Sequence, residues 1–430
     1  MTERTRVIMD EDRAFRTITR RLVPFLMLCY GVAYLDRVNV GFAKLEMLSD
    51  LKFSETVYGF GAGIFFLGYF LFEVPSNLLL HRIGARVWIG RIMITWGLVS
   101  GAFVFIHTAA MFYTLRFLLG VAEAGFYPGI ILYLTYWYPS ARRGRIVALF
   151  MAAIPISGLL GGPLSGWILD TFTGRSGWTG WQWLFVLEAV PSIIMGVVTI
   201  VYLDNGVEQA SWLTDTEKRV VLARLAADRA EAPLHEAIGS ALADRRLWLM
   251  CFIYFCCVMG QYGLTFWLPT LIQAAGVHDV FSIGLLTAVP YGAAAIAMVL
   301  FGRSADRHRE RRWHTVIPLL LGAAGLIVST LAGTHTAFAM VGLTIAAIGI
   351  LTCAPLFWGL PTALLGGVAA AATIAAINSI GNLAGFASPY LVGWLNDVTH
   401  NTAAGMYAIA LSLVIGAVAV LCLPARAVNR

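Results

Sequence analysis

Four charged side chains fall inside long apolar runs: Asp36 and Arg37 in one, Arg116 and Glu123 in another. A charge near the centre of a bilayer costs roughly 2.5–3.5 kcal/mol on insertion scales, so such groups are kept paired, inward-facing and in use. The two acids are candidate proton carriers. The two arginines are candidate anion holders, because the guanidinium fork meets a carboxylate with two parallel bonds. Arg116 and Glu123 are seven residues apart, two helical turns, and share a helix face. Asp36 and Arg37 are neighbours about 100° apart around a helix, so both can meet one cavity only obliquely.

Two arrangements fit these residues. In one, Asp36–Arg116 or Arg37–Glu123 are permanent ion pairs that fix helices, a use that adds little net stability but is costly to break. In the other, burial favours the protonated acid while a neighbouring guanidinium opposes it. Protonation then frees the arginine for the carboxylate of a substrate. Tyr69 and Glu73 lie in the next apolar run and Glu188 in a later one. Glu73 is expected to anchor a loop arginine or helix end. Glu188, shortly before Pro191, is expected to serve backbone groups freed by that proline. The second half places no Asp, Glu, Lys or Arg inside an apolar run; its candidates are Gln261, Tyr262, Trp267, Trp358, Asn378 and Asn382. Charge in one half and neutral polar groups in the other suggest ion coupling facing a recognition surface. The six cysteines show no metal spacing and read as small apolar fillers. No nucleophile–base pair or metal cluster falls within a run, so the chain is expected to need no metal or cofactor and not to be an enzyme.

The elements that must position these residues are membrane helices. Of 430 residues, 59% are hydrophobic and only 13% charged, with a mean hydropathy of +0.77. The fold class is therefore an all-α membrane protein, with about twelve runs of the roughly 20 residues that cross a bilayer. They are placed at 22–42, 57–80, 88–107, 111–138, 146–169, 182–203, 247–274, 281–301, 316–333, 337–361, 369–395 and 402–424. Arginines crowd alternate loops, among them Arg82 and Arg86, Arg142 and Arg143, and Arg303 to Arg312. By the positive-inside rule those loops are cytoplasmic, and so are both termini. The basic start followed by an apolar run reads as the first span rather than a cleavable leader. The net charge of +6 belongs to these loops and does not indicate nucleic-acid binding.

A mixed-charge linker over 204–246 divides a bundle at 1–203 from a second at 247–430. Within it, Thr214-Asp-Thr-Glu217 reads as a capping box opening a solvated surface helix from about 215 to 229. The halves look like repeats. Gly158, Gly162, Pro163 and Gly166 in the fifth run match Gly381, Gly385, Pro389 and Gly393 in the eleventh, small residues that let helices approach closely in lipid. The loop His81-Arg-Ile-Gly-Ala-Arg86 matches Gly302-Arg-Ser-Ala-Asp-Arg307. Two pseudo-symmetric six-helix bundles around a central site suggest alternating access.

Tyr34-Leu-Asp-Arg-Val-Asn-Val40, Glu73-Val-Pro-Ser-Asn77 and Arg116-Phe-Leu-Leu-Gly-Val-Ala-Glu-Ala-Gly-Phe-Tyr-Pro128 resemble the anion:cation symporter family of the major facilitator superfamily. The likeness runs over essentially the whole chain and is nearest to bacterial carriers of tartrate, phthalate and hydroxyphenylacetate. It implies the major facilitator fold and proton-coupled uptake of a small organic anion, either a dicarboxylate or an aromatic acid, across a bacterial inner membrane by a monomer. In that reading Asp36 and Glu123 take protons and Arg37 and Arg116 engage the anion. Tyr69, Gln261 and Asn382 sit where the family contacts substrate, and Arg82, Arg86, Asp306 and Arg307 gate the cytoplasmic loops. One departure is His81, where an acid is usual. The implied partners are the organic acid, protons and the bilayer. An anion exchanger without proton coupling, or a transporter-like sensor, would fit fewer of these features.

Overall fold

Inside a bilayer each backbone N–H and C=O must find a partner within the protein, which a helix provides without help from neighbours. The computed structural model describes residues 3–230, 244–364 and 369–425, and its apolar runs fold as helices. Among the described residues eleven helices are long and apolar enough to cross a membrane. Spans 1 to 6 are Glu11–Leu51, Glu55–Ile83, Ala85–Phe105, Ala109–Thr135, Ser140–Phe172 and Gly180–Tyr202. Spans 7 to 10 are Arg245–Ala274, Val280–His308, Arg312–Leu331 and Thr336–Pro361, and span 12 is Thr402–Leu421. Span 11, expected over 369–395, comprises two helices, Ala369–Asn382 and Ala384–Thr399, that meet at Leu383. Most helices outrun the apolar stretches that announced them, because their polar ends continue past the lipid; span 1 extends a helix that begins at Glu3.

The helix ends follow local chemistry. Ser54, Thr108, Asp279 and Asn401 each cap a following helix by accepting from a backbone N–H of its first turn. Span 4 breaks just after Glu123, where Gly125 adopts φ +85°, a conformation costly for other residues. A side chain there would also run into the Ser76 hydroxyl of span 2.

The halves meet mainly at one end of the bundle, the far face, away from the linker. Span 5 lies on span 8 through its glycines: a methyl group at Gly162 would meet the Gly284 carbonyl at 2.8 Å, and one at Gly166 the Gly284 Cα at 3.0 Å. Span 11 lies on span 2 in the same manner, with Gly63 facing the Phe386 carbonyl and Gly393 the Glu55 carbonyl. The two seams exchange equivalent helices of the two halves, as a repeat requires. The glycine stripes therefore serve close helix contact. Polar ties finish this face: Tyr58 donates to the Phe266 carbonyl at 2.9 Å, and the Asp397 carboxylate accepts from the N–H groups of Glu55 (3.1 Å) and Thr56 (2.8 Å).

The linker helix, Asp215–Ala230, opens on the expected capping box, with Thr214 N–H donating to Glu217 at 3.0 Å and Glu217 N–H to the Thr214 hydroxyl at 3.3 Å. It is more than a solvated connector. Val221 and Leu225 are buried, Trp212 stacks on Trp137 at 5.5 Å, and Asp228 accepts from the Ser140 hydroxyl (2.5 Å) at the start of span 5. The helix thus belongs physically to the first half. The remaining stretch of the expected linker, 231–243, lies outside the described residues.

Candidate functional site

Between the halves, on the linker side of the far-face seams, lies a cavity of about 80 Å³. From the first half its wall includes Tyr30, Arg37, Phe65, Phe66, Tyr69 and Tyr127. The second half contributes Tyr254, Gln261, Tyr262, Asn378 and Asn382, with Met298 beside them. Local spacing explains the placement. Tyr30 and Arg37 are two turns apart on span 1, as are Tyr254 and Gln261 on span 7, so each pair projects from one face.

The four intramembrane charges part company here. Arg37 is ion-paired with Glu123, the pair joining span 1 to the end of the first helix of span 4. Its other terminal nitrogen donates to the Tyr262 hydroxyl across the cavity at 3.2 Å, while its buried Nε–H has no hydrogen-bond partner. Glu123 itself is 1% exposed and stands behind Arg37. Asp36 points away from the cavity, toward spans 3 and 6. It accepts from Trp96 Nε1 at 3.0 Å, from Ser100 at 2.9 Å and from Ser192. The alternative pairing of Asp36 with Arg116 does not form. Arg116, at 0% exposure, donates instead to two backbone carbonyls of span 2, Gly61 (3.2 Å) and Ala62 (3.0 Å), and lies outside the cavity wall.

Of the neutral candidates, Tyr69, Gln261, Asn378 and Asn382 line the cavity. Trp358 lies outside it, its ring 4.9 Å from that of Tyr254. Glu73 does not anchor an arginine: it accepts from Asn378 Nδ2 at 3.2 Å, tying span 2 to span 11 at the linker side of the cavity. Glu188 accepts from the Ser165 hydroxyl at 2.7 Å rather than from backbone opened by Pro191. At the linker face Arg82, Asp306 and Arg307 are exposed, whereas Arg86 binds the Ile200 carbonyl and, through its N–H, the Asn205 side chain at 3.0 Å. Arg86 is thereby fixed to span 6 of its own half.

One buried charged side chain escaped the sequence reading. Lys44, near the end of the first span, is 4% exposed at the far face. Its ammonium group pairs with Glu55 (2.7 Å), donates to Thr270 of span 7 (3.0 Å) and lies 3.6 Å from the Trp267 ring centroid. The signal was present: Tyr30, Arg37 and Lys44 recur every seven residues along one face of span 1. Five of the six cysteines are buried as expected, but Cys422 is exposed.

Residues 26–389 match the family model of the Major Facilitator Superfamily. The chain is 48% identical to a Pseudomonas putida protein named "Putative metabolite transport protein NicT", over 97% of this chain and 95% of that one. It is 49% identical to an Agrobacterium vitis "Putative tartrate transporter", over 96% of this chain and 95% of the relative. Its fold matches a crystal structure of a bacterial homologue of the human lysosomal transporter Spinster in an inward-facing, occupied conformation. That match has a TM-score of 0.75 at 16% identity, covering 95% of this chain and 96% of that one. With a family model matched over most of its length and relatives of this kind over nearly all of it, the chain belongs to the major facilitator superfamily and is a membrane transporter rather than an enzyme.

Proposed function

We propose that the chain carries a small organic acid into a bacterial cell together with protons, the halves 1–203 and 247–430 rocking about the cavity while 204–246 tethers them. The observation that carries this reading is the position of Arg37: it faces the cavity, holds Glu123 behind it and keeps one N–H unused. With the cavity exposed at the far face, a proton on Glu123 weakens its hold on Arg37 and turns the guanidinium toward a substrate carboxylate. Once the cavity faces the linker side, Glu123 gives up the proton, pairs with Arg37 again and displaces the acid. The ion pair in this structure corresponds to that last arrangement. Asp36 is the second proposed proton site, set behind the cavity where it braces span 1 against spans 3 and 6. The names of the relatives, a tartrate and a metabolite transporter, agree with a small acid as cargo.

The arginine-rich loops share the linker face, which makes that face and both termini cytoplasmic by the positive-inside rule. The far face is then extracellular and the structure inward-facing, in an inner membrane and as a monomer. Purified protein in proteoliposomes tests the coupling. An inwardly directed proton gradient should drive accumulation of a radiolabelled acid, and Glu123→Gln should abolish accumulation while preserving exchange of internal for external acid. Uptake indifferent to the gradient but driven by internal anion would instead establish an exchanger.

A further inference from the structure

We infer that the acid is a monocarboxylate with an aromatic body rather than a dicarboxylate; the inference rests on the proposed carriage of an organic acid. Charge decides the first part. Among the described residues Arg37 is the one Lys, Arg or His in the cavity wall. The other intramembrane guanidinium, Arg116, gives two nitrogens to the carbonyls of Gly61 and Ala62; its Nη1 has no hydrogen-bond partner, but the residue lies outside the cavity wall with the Phe65 ring centroid 5.1 Å from its guanidinium. Lys44 is bound to Glu55 at the far face. When Glu123 is protonated, Arg37 balances one carboxylate and the site is neutral. A second carboxylate would stand unpaired between low-dielectric walls, and a buried unpaired charge is strongly disfavoured. Glu73, held by Asn378 at the cavity's linker side, adds no positive charge.

The body of the substrate is set by what surrounds Arg37. Phe65 and Tyr69 flank its guanidinium at 5.5 and 5.7 Å, and Phe66 meets Tyr262 at 4.4 Å. Tyr30 lies 5.8 Å from Tyr127, and both line the cavity. These rings can stack on or meet edge-on a flat aromatic guest, and the thioethers of Met151 and Met298 in the same wall favour ring contacts as well. Gln261, Asn378 and Asn382 supply neutral donors and acceptors for a single ring substituent. A hydroxylated diacid, polar along its whole carbon chain, would leave most of this surface unmatched.

The full-length protein in nanodiscs at pH 7.5, where each probe is ionised, tests this by calorimetric binding and competition among benzoate, phenylacetate, acetate, succinate and tartrate. Benzoate or phenylacetate should bind at least about tenfold tighter than succinate, tartrate and acetate, tenfold being about 1.4 kcal/mol. Asn382→Lys, checked for folding by its melting temperature, places a second cation in the wall and should move the succinate-to-benzoate ratio at least about tenfold toward succinate. Succinate or tartrate competing as well as benzoate, acetate matching benzoate, or an unmoved ratio in the folded variant would overturn the aromatic monocarboxylate while leaving organic-acid carriage standing. Failure of every acid to bind would remove both readings.

Discussion

Arg37 and Arg116 are chemically identical and both lie deep in apolar helices, yet their surroundings give them different tasks. Arg37 shares its guanidinium between Glu123, Tyr262 and the cavity, so it can exchange partners; Arg116 gives two nitrogens to backbone carbonyls that have nowhere to move, and its unpartnered Nη1 is buried outside the cavity wall. Arg37→Gln should abolish acid binding measured by calorimetry. Arg116→Gln should leave the dissociation constant within about threefold but lower the stability of the first half by about 2 kcal/mol, the order of a buried hydrogen bond to a charged group. Equal loss of binding in the two variants would return Arg116 to the site. The sequence made all four charges visible but left their pairing open. A one-residue step turns a helix by about 100°, and nothing local to Asp36 says that Trp96, Ser100 and Ser192 await it on two other helices. What was legible was the residue type; the partners belong to tertiary structure.

Two kinds of element hold the present conformation. One is the far-face contact, where the Asp397 carboxylate caps the first turn of span 2 from the opposite half. Loss of a cap costs about 1 kcal/mol, so Asp397→Ala should shift the population about fivefold toward a far-face-open state. Spin-label distances between the start of span 2 and the end of span 11 would lengthen; an unchanged distribution would exclude Asp397 as a latch. The other element is the linker helix. Hydrogen bonds from the Ser140 hydroxyl, and then its N–H, hold the Asp228 carboxyl below the usual carboxylate range, with Arg143 and Arg224 assisting. A lowered value in the folded state stabilises docking above the ordinary carboxylate value of about 4, and the benefit is lost as pH falls through the folded value. Hydrogen-exchange protection over 215–230, taken relative to the intrinsic rate at each pH, should therefore be unchanged between pH 8 and 5 and fall in more acidic solution, whereas Ser140→Ala should lower it at neutral pH. The capping box gave this helix away in advance. Its docking did not show, because Val221 and Leu225 are too few to mark a buried face among so many charges.

At the scale of the whole molecule, the spans could be read from hydropathy, because lipid leaves a chain few ways to satisfy its backbone. The break in span 11 could not, since no proline or charge lies at Leu383 and Pro389 falls six residues later, inside the second helix. Sidedness can be checked on the native chain. Cys422, at the linker-face end of span 12, is the one exposed cysteine, so a membrane-impermeant thiol reagent should label it in inverted vesicles and not in right-side-out ones. The seams between the halves carry a wider consequence. They close largely glycine against carbonyl, span 5 on span 8 and span 11 on span 2, using atoms that every amino acid shares. Closure thus rests on a few glycines whose missing side chains let the main chains meet, while the cavity-lining side chains lie some turns away. A carrier built this way can diversify its menu without relearning how to shut, and half-molecules exchanged between relatives should still assemble into working pairs.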